Sequence, residues 1–265
     1  MIDLKDIQRL KSLRILLIGD SCVDHYHYGV CERMSPEAPV PIFKVLDTYK
    51  SGGMAHNVKA NLEGMGISVY LLTNDEEIIK SRYIDKKTRQ HLLRTDWGEA
   101  KKIVPLKPKE LDSIDFDLFD VVVISDYDKG FLDRSTIDQI LRLSGSKPVF
   151  VDTKKRDISC YTNCIIKINE NELENLTKSP DLCDIIVTLG EYGAMYNNEI
   201  FPTKKVEIFD VCGAGDTFLV GLLCAYMVTH DIRKSIKFAN SCGLLAVQKF
   251  GTYTLAPGDL DDICL

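Results

Sequence analysis

Several features are missing from this sequence, and each absence narrows what the chain does. The nine cysteines, scattered from Cys22 to Cys264, form no CxxC pair. That argues against a zinc site built on Cys160 and Cys164. An odd count, with Cys212, Cys224 and Cys242 in apolar runs, reads as reduced core thiols in a cytoplasmic protein. No apolar run approaches the ~18 residues of a membrane span. The opening MIDLKDIQRLKSLR is polar and amphipathic, unlike a secretory leader. No basic block stands out against the formal net charge of −6, so neither nucleic acid nor a membrane surface is an expected partner. No repeat and no low-complexity stretch divides the 265 residues, and one domain over 1–265 is expected.

What is present centres on Asp210–Thr229, DVCGAGDTFLVGLLCAYMVT. Gly213 and Gly215 let backbone N–H groups approach an anion closely, because no Cβ intervenes. The apolar run from Phe218 reads as a buried helix, whose start adds unpaired N–H donors and a positive dipole end. That is a phosphate site with a carboxylate, Asp216, inside it. The carboxylate would repel phosphate unless it had a task, such as taking a proton from an attacking hydroxyl. A P-loop is excluded, since Asp216-Thr217 stands where GK[ST] requires Lys. A dinucleotide fingerprint is excluded by Phe218. The plain alternative is a Gly-rich turn that starts a core helix.

The rest of the chain has an α/β rhythm. A helix is expected over 3–13, then apolar strands at Arg14–Gly19, 68–73, Val121–Ser125, 148–152, Cys164–Ile168 and Asp184–Leu189. Helices are expected from Ala55 to Gly66, over 108–114 and 133–143, and as a pair within 231–248. A hairpin-like segment fits 194–208. Ligands of open α/β sheets sit beyond the carboxyl ends of strands. Asp20 and Asp24 are there, as sugar-hydroxyl acceptors or as loop caps. So are Gly52, Gly53 and Asn57, and the Asp126–Gly130 turn with Lys129. Asn169 and Glu172 share one helical face, which suits the water shell of Mg²⁺, but the spacing alone favours an N-cap with a capping-box Glu at N3. Glycines after Thr188 leave room for a nucleotide.

Two segments break the rhythm. Residues 25–50 hold His25, Tyr26, His27 and Tyr28, then Pro36, Pro39 and Pro41, which forbid a helix. From Val40 the residues alternate as in an edge strand. Residues 80–97 read as a basic hairpin turning at Asp85–Thr88, with Lys80, Arg82 and Arg94 as candidates to meet a phosphorylated substrate. Together they make a small β lid.

At this point the chain resembles the ribokinase-type (PfkB) carbohydrate kinases. The resemblance rests on the Gly52-Gly53…Asn57 segment and on Asp210-Val-Cys-Gly-Ala-Gly-Asp216. Within that family it is most similar to kinases of heptose 7-phosphate, through GDSCVDHYHYG at 19–29, RMSPEAPVPIFKV at 33–45, SDYDKG at 125–130, NENE at 169–172 and FANSCGLLAVQKFGT at 238–252. The resemblance implies a ribokinase-like three-layer α/β/α sandwich, with a mostly parallel sheet and a β lid. It implies ATP and Mg²⁺ as cofactors, and phosphorylation of the anomeric hydroxyl of D-glycero-D-manno-heptose 7-phosphate. Asp216 becomes the base and the amides of Gly213, Ala214 and Gly215 the anion hole. Asn169, Glu170, Asn171 and Glu172 lie by ATP, with Asn169 and Glu172 reaching Mg²⁺ through water, and this favours the metal over the cap. Lys154, Thr188, Gly190, Gly193 and Asn240 join the nucleotide side. Asp20, Asp24, Gly52, Gly53, Asn57 and Lys129 join the sugar side.

The sequence departs from that family pattern between Asn74 and Lys80. Relatives carry a helix and strand there, whereas this chain has only Asp75–Ile79, so a shortened sheet edge is expected. A nucleotidyltransferase is expected as a separate protein, and pairing of two lids in a homodimer is a further possibility. Two other functions fit the same motifs: a kinase for a ribose- or fructose-type sugar, and a sugar- or nucleotide-binding relative that no longer catalyses.

Overall fold

Ile15, Leu16, Leu17 and Ile18 are all fully buried, so strand β1 (Arg14–Gly19) must be covered on both faces. The computed structural model, which describes residues 4–249 and 251–259, supplies that cover. β1 pairs in parallel with β4 (Ser68–Thr73) and with β7 (Val121–Asp126). Parallel pairing continues through β8 (Val149–Thr153), β9 (Ile165–Asn169) and β10 (Asp184–Thr188). Antiparallel β11 (Ala194–Tyr196) and β12 (Glu199–Phe201) close one edge, and β4 is the other.

Alternate strand residues point to opposite faces and divide the core in two. Ile15, Leu17, Val123 and Phe150 pack beneath α2 (Ala55–Gly64), α6 (Ala214–Thr229) and α7 (Ile232–Val247). Leu16, Ile18, Ile124, Val151 and Ile166 pack against α4 (Arg134–Ser144) and the connection holding α3 (Pro108–Leu111). This is the three-layer ribokinase-like sandwich that the resemblance implies. α1 (Leu4–Lys11) inserts Leu10 into the first layer. Among the described residues no helix is long and apolar enough to cross a membrane.

The lid is a separate sheet in the order β3-β2-β5-β6. Its strands are β2 (Ser21–Met34), β3 (Pro41–Met54), β5 (Ile79–Asp85) and β6 (His91–Trp97). Pro36 and Pro39 lie in its tip loop, and Asp85 holds the β5–β6 turn by accepting the Lys87 and Thr88 amides. Its root is tied to the main sheet. Only Asp20 separates β1 from β2, and its carbonyl accepts the Ala55 amide at 3.0 Å. Asn74 Oδ1 accepts the Ser21 amide at 2.8 Å, and its Nδ2 donates to the Ser21 and Glu76 carbonyls. β4 is indeed the bare sheet edge, and four residues after Asn74 lead straight into β5.

Some expectations need correction. The region 231–248 is one helix, α7, because Asp231 caps it by accepting the Arg233 and Lys234 amides and nothing breaks it later. The hairpin at 194–208 is confined to β11–β12, joined by Asn197 and Asn198 at φ 50° and 60°. The lid strand expected from Val40 extends back to Met54 and is matched by an equally long β2. Cys22, Cys160, Cys164 and Cys224 are buried thiols. Cys264 and the first residue of the expected N-terminal helix lie outside the described residues.

Candidate active site

The α6 N-terminus is set by Gly213, which takes φ +77° as N-cap. A Cβ there would be strained, and would stand 2.8 Å from Asn57 Nδ2. Asp210 fixes the turn by accepting the Cys212 and Gly251 amides at 2.9 and 3.0 Å. The amides of Gly213, Gly215 and Asp216 have no backbone acceptor among the described residues, as a first helical turn requires. Ala214 N–H differs, since it donates to the Val211 carbonyl at 3.3 Å. Of the three amides expected, those of Gly213 and Gly215 are free, and Asp216 N–H stands free in place of Ala214 N–H.

Asp216 is 5% exposed and has a donor on each oxygen. Asn57, on the first turn of α2, donates through Nδ2 to Oδ2 at 2.6 Å. The Tyr127 hydroxyl, just past β7, donates to Oδ1 at 3.0 Å. Burial, followed by the nearby Asp152 carboxylate, pushes the Asp216 carboxyl up to about 6, against the pull of Asn57, Lys167 and Tyr127. A carboxyl in that range is ionised at neutral pH yet basic enough to accept a proton.

Beneath the turn lies a buried row of charge. Lys167 Nζ is 2.7 Å from Asp152 Oδ2, and a Cβ on Gly215 would meet that ammonium at 2.8 Å. Lys154 Nζ is 3.3 Å from Asp152 Oδ1 and 2.5 Å from Glu172 Oε1. Burial alone would raise the Asp152 carboxyl, but Lys167 and Lys154 outweigh it and hold it below the usual carboxylate range.

Asn169 and Glu172 form both bonds of a capping box at α5 (Glu170–Glu174). Glu172 N–H donates to Asn169 Oδ1 at 2.8 Å, and Asn169 N–H to Glu172 Oε2 at 2.7 Å. The cap reading of this spacing is therefore present in the fold. Glu170 and Asn171 are exposed.

On one side of α6, Thr188, Gly190, Gly193 and Asn240 line one cleft together with Ala214 and Gly215, with a volume of about 310 Å³. Asn240 also donates to the Phe201 carbonyl at 2.7 Å. On the lid side, Asp24 on β2 is paired with Arg82 of β5 at 2.5 Å, and both are buried. Gly53 lies against that carboxylate, where a Cβ would stand 2.5 Å from Asp24 Oδ2. Asp20 is not among these groups. It is fully buried and accepts the Lys129 and Phe131 amides at 3.3 and 3.4 Å, so its carboxylate organises the 127–131 loop. Lys129 reaches Glu99 at 2.9 Å, beside Lys80 at 3.7 Å from the same carboxylate. Arg94 pairs with Asp96 on the exposed lid and takes no part in the site.

Four residues near the site escaped the sequence reading. Tyr127 was visible only as part of a turn. Lys167 lies inside a strand pattern, where a charged residue at an otherwise apolar position was the one available cue. Lys204 and Lys205, which line the cleft with Thr188 and Asn240, sit in the irregular stretch after β12.

A buried carboxylate between a helix-start turn and a β lid suits transfer of a phosphoryl group to a hydroxyl, the work of a small-molecule kinase. A family model described as pfkB family carbohydrate kinase matches residues 52–258. The chain belongs to that family of ATP-dependent carbohydrate kinases. Two proteins named Bifunctional protein HldE, from Campylobacter curvus and Nitratiruptor sp., are each 32% identical to it over 96% and 94% of this chain. The chain spans 65% and 64% of their lengths. The first alignment runs to 311 residues, more than the 265 of this chain, as insertions in the relative require. The fold is shared with ribokinase from Thermotoga maritima (TM-score 0.67, 17% identity, covering 95% of this chain and 99% of that one). It is shared also with phosphofructokinase-2 from Escherichia coli in complex with substrates and products (TM-score 0.70, 13% identity, 95% and 98% covered).

Proposed function

We propose that this kinase transfers the γ-phosphoryl group of ATP to the anomeric hydroxyl of D-glycero-D-manno-heptose 7-phosphate. The observation that carries this reading is the place of Asp216, buried, raised to about 6, and set between the nucleotide-side cleft and the Asp24–Asn57 lid side. The sugar hydroxyl gives its proton to Asp216. Its oxygen bonds to the γ-phosphorus as the bond to ADP breaks, and the products are the 1,7-bisphosphate and ADP. The choice of heptose 7-phosphate is supported by SPEAPVP at 35–41 and SDYDKG at 125–130.

Thr188, Gly190, Gly193 and Asn240 hold the nucleotide, with Lys154 toward its phosphates. Asp24, Gly52, Gly53 and Asn57 hold the sugar, with Lys129 and Lys80 toward the 7-phosphate. A magnesium ion fits the site in one way. No group of three or more His, Cys, Asp or Glu gathers for a direct metal cage among the described residues, yet the ammonium of Lys154 already lies between Asp152 and Glu172. Lys154 fills that gap, so hydrated Mg²⁺ would be held beside it, by Asn169 and Glu172 through water. When bound with ATP, the ion neutralises phosphate charge.

ADP release against a panel of heptose 7-phosphate, ribose, fructose and fructose 6-phosphate tests the proposal. Turnover with heptose 7-phosphate is expected. Turnover with another sugar and none with heptose 7-phosphate would replace the substrate. Tight sugar or ATP binding without any transfer would point instead to a non-catalytic relative.

A further inference from the structure

The two donors on Asp216 are not equivalent. A substrate hydroxyl needs one carboxylate oxygen, so one donor must give way. Asn57 has no room to leave. It is 2% exposed, its Nδ2 lies where a Cβ on Gly213 would be 2.8 Å away, and its carbonyl accepts Asn61 Nδ2 at 2.9 Å. Tyr127 is half-buried on the loop after β7, and its bond to Asp216 is the longer of the two, 3.0 Å against 2.6 Å. Two ammonium groups lie over its ring, Lys80 of the lid at 5.9 Å and Lys154 of the nucleotide side at 5.3 Å. Anionic ligands that draw on either lysine act on the ring as well. Burial, then Asp216 and Asp152, hold the phenol protonated, so it is the donor.

On the reading of Asp216 as the base, we propose that Tyr127 is a positioning residue that latches Asp216 Oδ1 in the resting enzyme and yields it to the substrate hydroxyl. Oδ1 is then the oxygen that takes the proton, while Asn57 keeps Oδ2 and fixes the carboxylate plane. The latch also keeps water from Oδ1 when ATP is bound without sugar, which limits idle hydrolysis. The charged and titratable groups facing this carboxylate are Asp152 on β8, Lys167 on β9, Cys22 on β2 and Tyr127 itself.

The test is Tyr127→Phe, which keeps the ring and its cation contacts and removes the hydroxyl. Two quantities are read: ADP formation without sugar, and the titration of Asp216 by ¹³C carboxyl NMR. Loss of the latch is expected to raise sugar-independent ADP formation about fivefold, the weight of one ordinary hydrogen bond. The Asp216 midpoint is expected to move up from about 6 by roughly half to one pH unit. If both match the parent enzyme and only KM for the sugar rises, Tyr127 packs against the sugar and the latch is wrong. If Asp216→Asn retains the parent's turnover, the base assignment fails instead. The carboxyl titration still decides whether Tyr127 holds Asp216.

Discussion

Asn57 and Asp216 are 159 positions apart in sequence and 2.6 Å apart in space, amide to carboxylate. That bond joins the two family motifs into one device, because the helix carrying the Asn57 amide fixes the Asp216 carboxylate on the other helix. Asn57→Ala removes the donor and leaves a buried carboxylate short of a partner. The acid limb of the rate profile is expected to rise further above 6, and kcat/KM at pH 7 to fall about 10²-fold. A pH series of initial rates checks it. An unchanged limb would mean that Asn57 serves the sugar alone.

Asp216 itself sets activity against stability. Its folded-state value of about 6 lies above the ordinary 3.8. Below pH 4 the carboxyl is protonated in both folded and unfolded chains and costs nothing. As pH rises toward and past 6 the unfolded chain ionises first, and the native state loses about 3 kcal/mol by comparison. Asp216→Asn is therefore expected to melt several degrees higher than the parent at pH 8, with the gap closing near pH 4. The same variant is expected to lose about 10³-fold in turnover while still binding ATP. A melting difference independent of pH would show that ionisation is not its source.

The Lys167–Asp152 pair carries a different expectation. Both partners are almost fully buried, so Lys167→Met leaves the Asp152 carboxylate with only the longer Lys154 contact, at 3.3 Å. Unfolding in urea is expected to show a loss of about 3–5 kcal/mol, largely restored when Asp152→Leu is added. If the double variant is stable but slow, the pair acts on the phosphate and not on the fold.

The outer strands of the lid, β3 and β6, leave Val45, Leu46, Tyr49, Leu92, Leu93 and Trp97 exposed. Such a surface is expected to pair with a second copy of the chain. Sedimentation at micromolar concentration should show a dimer, and Tyr49→Glu combined with Leu93→Glu a monomer. A parent chain that sediments as a monomer would leave the lid as a cover only.

Much of this was legible from local sequence. The apolar runs of β1 and β7 announce buried parallel strands, and the glycines beside Asp216 announce an anion turn. The prolines at 36, 39 and 41 mark the lid tip. What the sequence could not reveal depends on side-chain direction across long separations. Asp20 and Asp24 occupy similar positions beyond β1, yet one turns inward to the 127–131 amides and the other to Arg82. Nothing local separates them. Asn169 and Glu172 satisfied cap and metal patterns together, because a helix start serves both. Tyr127 and Lys167 acquire meaning only when three strands are laid side by side.

The fastening at the base of the lid has a mechanical consequence. Asp20, Asn74 and Ala55 bind three of the four points where chain passes between the sheets, the fourth being the exit after β6, so the lid is fastened along most of its root. Its motion must come from flexing farther out, where the pairing of β2 with β3 slips at Tyr28/Gly29 and Cys31/Arg33, and that of β5 with β6 at Tyr83/Ile84. The base of the lid, with Asp24 and Arg82 on it, then moves as part of the main body, and only the outer leaf bends.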